Sequence, residues 1–225
     1  MAKFYFIAFA VTSLLPAFCN GSFCRRGKLE RSQIHEYVLN PVNEARQRLS
    51  AGKQKNGLGG KNLPAAKGMT KLAWSCALEK IAIETLNGRC MYKEDPTDED
   101  GRATLFQQYD LVFLFLLCFI PLVANASSLL GYGFGDPIDA GIIKTIFQND
   151  LNYINIFALD GVTPRKVVYK KKTPQALQKF VNMIRPKATK IGCAFVKCNK
   201  PQDPYAVYCV MNAKKLNDGD VIYEA

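Results

Sequence analysis

The chain has 225 residues, with 30 lysines and arginines against 19 acidic residues and a formal net charge of +11. This length suits a single domain and is short for two. The excess of positive charge favours anionic partners such as glycosaminoglycans, acidic proteins or lipid headgroups. The sequence contains neither a Gly-x-Ser-x-Gly motif nor a phosphate-binding glycine loop, so the common hydrolase and nucleotide-binding classes are not indicated.

The N-terminus is typical of a secretory signal peptide. Lys3 precedes an apolar run from Phe4 to Phe18 that has the length and flanks of such a peptide. We predict a signal peptide over residues 1–20, with cleavage between Ala17 and Ser22, and a secreted, extracellular mature protein. A secreted chain does not meet nucleic acids, so no nucleic-acid partner is expected.

Cysteines in an oxidising compartment are expected to form disulfides. Cys19 is lost with the signal peptide, and Cys118 is the odd member because it lies inside an apolar run. Six cysteines remain: Cys24, Cys76, Cys90, Cys193, Cys198 and Cys209. Their spacing does not decide how they pair. The chain has one histidine and no Cys-x-x-Cys motif, so neither a zinc site nor a redox pair is expected.

The first predicted helix covers Pro41–Ser50, with Asn40 as its N-cap and proline at its first position. A start near Ser32, with a kink at Pro41, is the alternative. Residues 51–68 are rich in glycine and lysine and lack periodicity, which predicts a surface loop.

Apolar side chains at helical spacing predict three more helices. One lies within residues 71–90 and is ended by Gly88. The others cover Asp139–Leu151 and Thr173–Ile184, the latter with Pro174 at its first position. Next, the stretches IGCAFVKC and YAVYCVMN are rich in β-branched and aromatic residues and predict two antiparallel strands. The order of these elements predicts an α+β fold.

An anomalous apolar segment separates the second and third helices. Residues 111–124 contain no polar side chain, and no charge occurs between Asp110 and Asp136. A membrane-spanning helix there would have to include Pro121 and several glycines, so membrane insertion is not expected. A strand pair of the core is a second interpretation. We favour a third, that residues from about Arg102 to Gly133 are a gene-model artefact, so that the domain 24–225 is interrupted at about 102–134.

A basic run, RKVVYKKK, contains the densest positive charge of the chain. Such a run predicts a patch for an anionic partner, although a solvated, solubilising face is the more common role of a lysine run. The patch comprises Arg165, Lys166, Lys170, Lys171 and Lys172.

Several motifs, in the right order, resemble one known family. NEARQRLSAGK and AAKGMTKLAWSCALEKIA look like the first half of a CAP domain, the domain of cysteine-rich secretory proteins, antigen 5 and pathogenesis-related 1 proteins. NMIRPKATKIGCAFVKC, AVYCVMN and DGDVIYE look like its second half. The nematode secreted members, also called SCP/TAPS, Ancylostoma-secreted-protein-like or venom-allergen-like proteins, are the most similar kind.

The resemblance implies a fold and a set of disulfides. Members of the family fold as a three-layer α-β-α sandwich stapled by disulfides. By similarity Cys193 pairs with Cys209 and Cys198 with Cys76, which leaves Cys24 and Cys90 as a third bridge.

The family also carries a cleft tetrad of two histidines and two glutamates that can hold a divalent metal. By resemblance the first histidine falls on Val42, the second on Lys179 and one glutamate on Asp150, while the second glutamate has no counterpart. Valine and a protonated lysine cannot donate a lone pair to a cation. We therefore expect no metal, no cofactor and no catalytic residues. His35 is expected at the surface or in a cap, and three glutamates are expected as solvated charges: Glu44, Glu79 and Glu84.

The degenerate tetrad and the basic run together favour a secreted, non-enzymatic protein that acts by binding. The resemblance implies a parasite excretory or secretory protein that engages a host protein or glycosaminoglycan, through immune modulation or through receptor or channel antagonism. A lipid or sterol ligand is a further expectation. A metal-dependent hydrolase of the CAP type is the alternative from another class.

Overall fold

The computed structural model describes residues 22–90, 96–109, 140–198 and 205–225. The predicted signal peptide and Cys118 lie outside these ranges. The first helix, α1, is continuous and has three parts: a turn of α-helix Arg31–Gln33, a π-helical segment Ile34–Leu39 and an α-helical segment Asn40–Ser50. The other helices are α2 (Cys76–Leu86), α3 (Ala140–Asn152) with a following 3-10 turn (Tyr153–Asn155), and α4 (Gln175–Ile184). The strands are β1 (Ala73–Trp74), β2 (Arg102–Tyr109), β3 (Lys166–Val168), β4 (Lys190–Lys197), β5 (Tyr205–Lys214) and β6 (Val221–Glu224).

The described strands form two sheets. The larger one has the order β1-β4-β5-β2, in which β1 is parallel to β4 and the other neighbours are antiparallel. The predicted antiparallel pair is β4 with β5, and Cys193 lies opposite Cys209. The smaller sheet pairs β3 with β6.

Both faces of the larger sheet are covered by helices, which gives the three layers that the resemblance implied. Alternate side chains of β5 point to opposite faces, as in any strand. Val207, Cys209 and Met211 join the main core, which also contains the apolar faces of α1, α3 and α4. Ala206, Tyr208 and Val210 join a second cluster formed with α2. The chain therefore folds as an α+β, α-β-α sandwich.

The first helix begins earlier than its main prediction. It starts at Arg31, near the alternative start, and Asn40 lies inside it rather than at an N-cap. The physical reason is the π-helical segment that ends just before Pro41: the N–H of Asn40 bonds to the carbonyl of His35, five residues back. This wider turn accommodates a residue that lacks an N–H and whose ring crowds the preceding turn. His35 is exposed within that segment.

The remaining helices agree with their predictions to within about two residues. Ser75 caps α2, and Asn87 ends it in the left-handed region at φ 42°, followed by Gly88 at φ 70°. Pro174 occupies the N-cap of α4 rather than its first helical position.

A buried arginine joins α1 to the end of α4. The Arg46 side chain is 1% exposed, and its Nη1 donates to the carbonyls of Met183 and Arg185 at 2.8 and 3.1 Å, while its Nε donates to Thr70 O at 2.8 Å. Carbonyls at the end of a helix lack partners within the helix and carry partial negative charge, which a cation stabilises. Burial lowers the pKa of Arg46 to about 10, so the guanidinium stays charged at neutral pH.

The six expected cysteines form three disulfides, but two of the implied pairings are wrong. The structure joins Cys193 to Cys209, as implied, and joins Cys24 to Cys76 and Cys90 to Cys198. The reason is the geometry of α2. Cys76 begins this helix and Cys90 follows its end, and the first and last residues of the helix lie about 15 Å apart along the axis. Cys198 reaches only the C-terminal end, and Cys24 reaches only the N-terminal end.

Part of the anomalous apolar segment belongs to the sheet. Residues 102–109, which the sequence analysis set apart, form β2 and pair with β5, with Ala103 and Leu105 buried. The alternating pattern of these residues is hard to recognise in the sequence, because a uniformly apolar stretch follows it. Residues 110–134 lie outside the described ranges. Of the helices in the described ranges, none has both the length and the apolar character needed to cross a bilayer.

Candidate functional site

Two of the three tetrad positions come together in the structure. Asp150 lies near the end of α3 and Lys179 lies in the middle of α4, and the Lys179 Nζ is 3.7 Å from the Asp150 Oδ1. Lys179 Nζ also donates a hydrogen bond of 2.6 Å to Gln107 Oε1 on β2. One ammonium group therefore links two helices and strand β2 of the larger sheet.

This cluster is buried. The Asp150 side chain is 4% exposed and the Lys179 side chain 16% exposed. Burial raises the pKa of Asp150 to about 6, and the charge of Lys179 opposes that rise without cancelling it. The distance of 3.7 Å is too long for a hydrogen bond, and Asp150 Oδ1 has no hydrogen-bond partner among the described residues. Charge attraction from Lys179 therefore holds a carboxyl group whose pKa lies above that of an ordinary aspartate.

The residues at these positions do not fit a divalent cation. Val42 is fully buried in the main core, together with Leu151 and Phe180, and offers no donor atom. A cation beside Asp150 would face the positive charge of Lys179 at close range, and a single carboxylate binds Zn²⁺ weakly. The tetrad of the family has no metal-binding equivalent among these side chains.

A second possible donor group is also unsuitable. Within the described residues, ligand atoms of Cys24, Cys76 and Glu79 lie within 4.8 Å of one another. Both sulfurs belong to the Cys24–Cys76 disulfide, so neither is a thiolate that could bind a metal.

A small cleft opens beside the Lys179 cluster. Its volume is about 120 Å³, and Thr104, Gln178 and Asn182 are among the described residues that line it. The Asn182 Nδ2 donates to Thr104 O at 3.2 Å and so ties α4 to β2 across this cleft. Small-molecule sites usually enclose roughly 300 Å³ or more, so this cleft is small for a substrate.

The basic run lies at the smaller sheet. Four of its five side chains are exposed, and Lys170 is half-buried. Acidic residues lie next to the basic run. Lys172 forms an ion pair of 3.2 Å with Asp160, and the backbone N–H of Lys171 donates to Asp218 Oδ1. Glu224 lies opposite Lys166 in the smaller sheet. The patch is therefore a mixed surface with an excess of positive charge.

The three glutamates expected as solvated charges have different environments. Glu44 and Glu84 are exposed, as expected. The expectation is wrong for Glu79, which is 2% exposed and accepts a hydrogen bond of 2.7 Å from Trp74 Nε1 through its Oε2. Burial raises the pKa of Glu79, and the bond from Trp74 opposes that rise.

The family model for the cysteine-rich secretory protein family, CAP, matches residues 39–212, well over half of the chain. The chain belongs to the CAP family. Searching the curated proteins finds no match to this CAP chain.

Solved structures of parasitic-worm CAP proteins share the fold. NaASP2, a hookworm ASP solved with Zn²⁺, has 16% sequence identity and a TM-score of 0.62, with 89% of this chain and 90% of that chain covered. The venom-allergen-like protein BmVAL-1 has 22% identity and a TM-score of 0.61, with 89% and 86% covered. The Hookworm Platelet Inhibitor has 18% identity and a TM-score of 0.51, with 90% and 81% covered.

Sequence reasoning on the CAP motifs missed Gln107, the hydrogen-bond partner of Lys179. The residue lies in β2, which was assigned to the anomalous segment. The signal that could have found it is the alternation in RATLFQQY, whose apolar Ala103 and Leu105 occupy every second position. The partnership of Trp74 with Glu79 has no comparable pattern in the sequence.

Proposed function

We propose that this CAP protein is secreted, is not an enzyme and acts by binding. It serves as an excretory or secretory protein of a parasitic worm and engages a host protein or glycosaminoglycan. The parasite relatives of similar fold and the disulfides support an extracellular location. Immune modulation and receptor or channel antagonism are the roles to test.

The observation that carries this proposal is the buried contact between Lys179 and Asp150. Hydrolysis assisted by a metal needs ligands that fix the ion and an open position for water or substrate. Here an ammonium group takes the place of one ligand and an apolar side chain, Val42, takes the place of another. With this donor set the cleft does not support metal-assisted hydrolysis. The proposal therefore assigns the function to binding by surface residues.

A metal titration tests the non-enzymatic part. Purified protein dialysed against Zn²⁺ is expected to retain far less than one equivalent, because these positions supply one carboxylate and no imidazole. Elemental analysis measures the zinc, with NaASP2 as the positive control because it was solved with Zn²⁺. Retention of one equivalent of zinc at this cluster would contradict the proposal.

Heparin retention tests the basic run as the binding surface. The triple substitution Lys170→Gln, Lys171→Gln and Lys172→Gln is expected to weaken binding and to lower the slope of log affinity against log salt by about 2 to 3, because each lost contact releases fewer counterions. The matched control removes the same charge from an exposed loop elsewhere, at Lys53, Lys55 and Lys61. An equal loss in the control would show that only net charge matters and would remove the basic run from the proposal.

A further inference from the structure

A larger cleft lies between α1 and β1. Its volume is about 430 Å³, within the range of small-molecule sites. More than half of its lining residues are apolar, and they include two aromatic side chains, Phe23 and Trp74, together with Leu39 and Leu72. We call it the α1–β1 cleft.

The charges around the α1–β1 cleft have one sign. Arg31 and Lys71 line it, and none of the described lining residues is acidic. The Arg31 guanidinium lies 4.6 Å from the centre of the Phe23 ring, a distance typical of cation–π contact. An apolar floor with positive charge at its rim complements a molecule that has an apolar body and an anionic group.

Trp74 is fixed in place before any ligand binds. Its indole N–H donates to the buried carboxyl of Glu79 at 2.7 Å. The Cys24–Cys76 disulfide connects the segment that carries Phe23 to the segment that carries Trp74, so both aromatic walls are tied to one covalent bridge. Preorganisation of this kind reduces the ordering cost of binding.

The floor of the cleft is fixed as well. The Asn43 side chain on α1 donates to Leu72 O at 3.1 Å and accepts from Leu72 N at 2.7 Å. The Asn43 side chain thus bonds to both backbone groups of Leu72, as a neighbouring strand would, and holds the residue before β1 against α1. Helix and strand therefore keep a fixed separation.

We propose that the α1–β1 cleft binds a small organic anion with an apolar body, such as an aryl carboxylate or aryl sulfonate. This site is separate from the basic run and does not depend on the proposed engagement of a host macromolecule. The apolar body lies against Phe23 and Trp74, and the anionic group lies near Lys71 and Arg31.

The chain carries its own reporter for this site, because Trp74 is its single tryptophan. Anilinonaphthalene sulfonate added to the full-length secreted protein is expected to bind at one site and to quench Trp74 emission. Naphthoate is expected to displace it, whereas the neutral analogue naphthalene methanol is expected to displace it poorly. Equal displacement by both compounds, or unchanged Trp74 emission, would overturn the proposal.

Charge substitutions at the rim localise the effect. Arg31 and Lys71 are exposed, so R31Q/K71Q leaves the core intact, and it is expected to raise the Kd for the probe roughly 10- to 30-fold through loss of two nearby charges. The matched control K187Q/K214Q removes the same charge from exposed positions that do not line the cleft. A Kd for R31Q/K71Q equal to that of the control would overturn the proposal.

Discussion

Lys179 connects two helices and a strand of this CAP domain through its ammonium group. Its ammonium group lies next to a buried carboxyl group, that of Asp150, and donates to Gln107. Such a contact satisfies part of the charge of Asp150 but does not restore the solvation lost on burial, which is why the pKa of this carboxyl is raised to about 6. The folded chain therefore binds this proton more tightly than the unfolded chain does.

The raised pKa gives a pH-dependent prediction for Lys179→Met. The contribution of Asp150 to stability is fully present below its ordinary pKa, near 4, and is lost as the pH rises through about 6. Without the ammonium group the folded pKa rises further, so the loss continues to higher pH. Urea unfolding is expected to show a deficit against the wild type that is larger at pH 8 than at pH 5 by about 1–3 kcal/mol.

A second variant separates this charge effect from lost packing. Lys179→Met combined with Asp150→Asn removes the carboxyl group as well, so the extra deficit at pH 8 is expected to disappear. A single variant that is equally destabilised at both pH values would show that Asp150 and Lys179 are not coupled.

At the level of elements, β4 and α2 approach each other closely at Gly192. A Cβ at this position would overlap the backbone nitrogen of Glu79 and lie 2.6 Å from the carbonyl carbon of Leu78. The atoms that this Cβ would meet are backbone atoms of α2, which cannot move aside as the end of a flexible side chain can. Glycine therefore permits the helix to lie directly on the strand.

Gly192→Ala is accordingly expected to destabilise the protein by about 3 kcal/mol or more, because the helix must move away from the sheet. Gly59→Ala is the control: it has a positive φ of 67° but no atom within 4 Å of the added carbon, so a cost of about 1 kcal/mol is expected. Urea unfolding of both variants measures the difference, and equal costs would show that the contact at Gly192 is not tight.

The elements also show what sequence patterns can predict. α3 and α4 were predicted closely because each carries a stripe of apolar residues at helical spacing. For α1 the main prediction of a start at Pro41 was wrong and the alternative near Ser32 was close, because the π-helical turn before Pro41 arises from hydrogen bonding and does not alter the apolar spacing. The burial of Glu79 was missed for a related reason, since its partner Trp74 belongs to another element and the contact depends on how β1 meets α2.

At the scale of the whole molecule, the disulfides connect parts that are far apart in sequence. Cys90 and Cys198 are separated by 108 residues and Cys24 and Cys76 by 52. In the chain-entropy account a closed loop of about 100 residues stabilises the fold by about 4.7 kcal/mol. The implied pairing of Cys76 with Cys198 was wrong because the partner of each cysteine depends on which end of α2 lies near Cys24 and which lies near Cys198. The positions of six cysteines in a sequence do not specify that orientation.

Peptide mapping of non-reduced protein tests the pairing directly. Digestion is expected to yield linked peptides that join Cys24 to Cys76 and Cys90 to Cys198. The double substitution of Cys90 and Cys198 by alanine is expected to lower the free energy of unfolding by about 4–5 kcal/mol. A peptide that joins Cys76 to Cys198 would contradict the structure and restore the pairing implied by resemblance.

The strand order β1-β4-β5-β2 has a consequence for biosynthesis. The hairpin of β4 and β5 forms the centre of the larger sheet, yet it is made last, and the strands at its two edges come from the first half of the chain. A nascent chain that has been synthesised only as far as β2 contains β1 and β2 but lacks β4 and β5, the strands with which they pair. Completion of the sheet must therefore wait for the end of translation, and cutting the gene anywhere before β4 should yield insoluble fragments rather than a smaller folded unit.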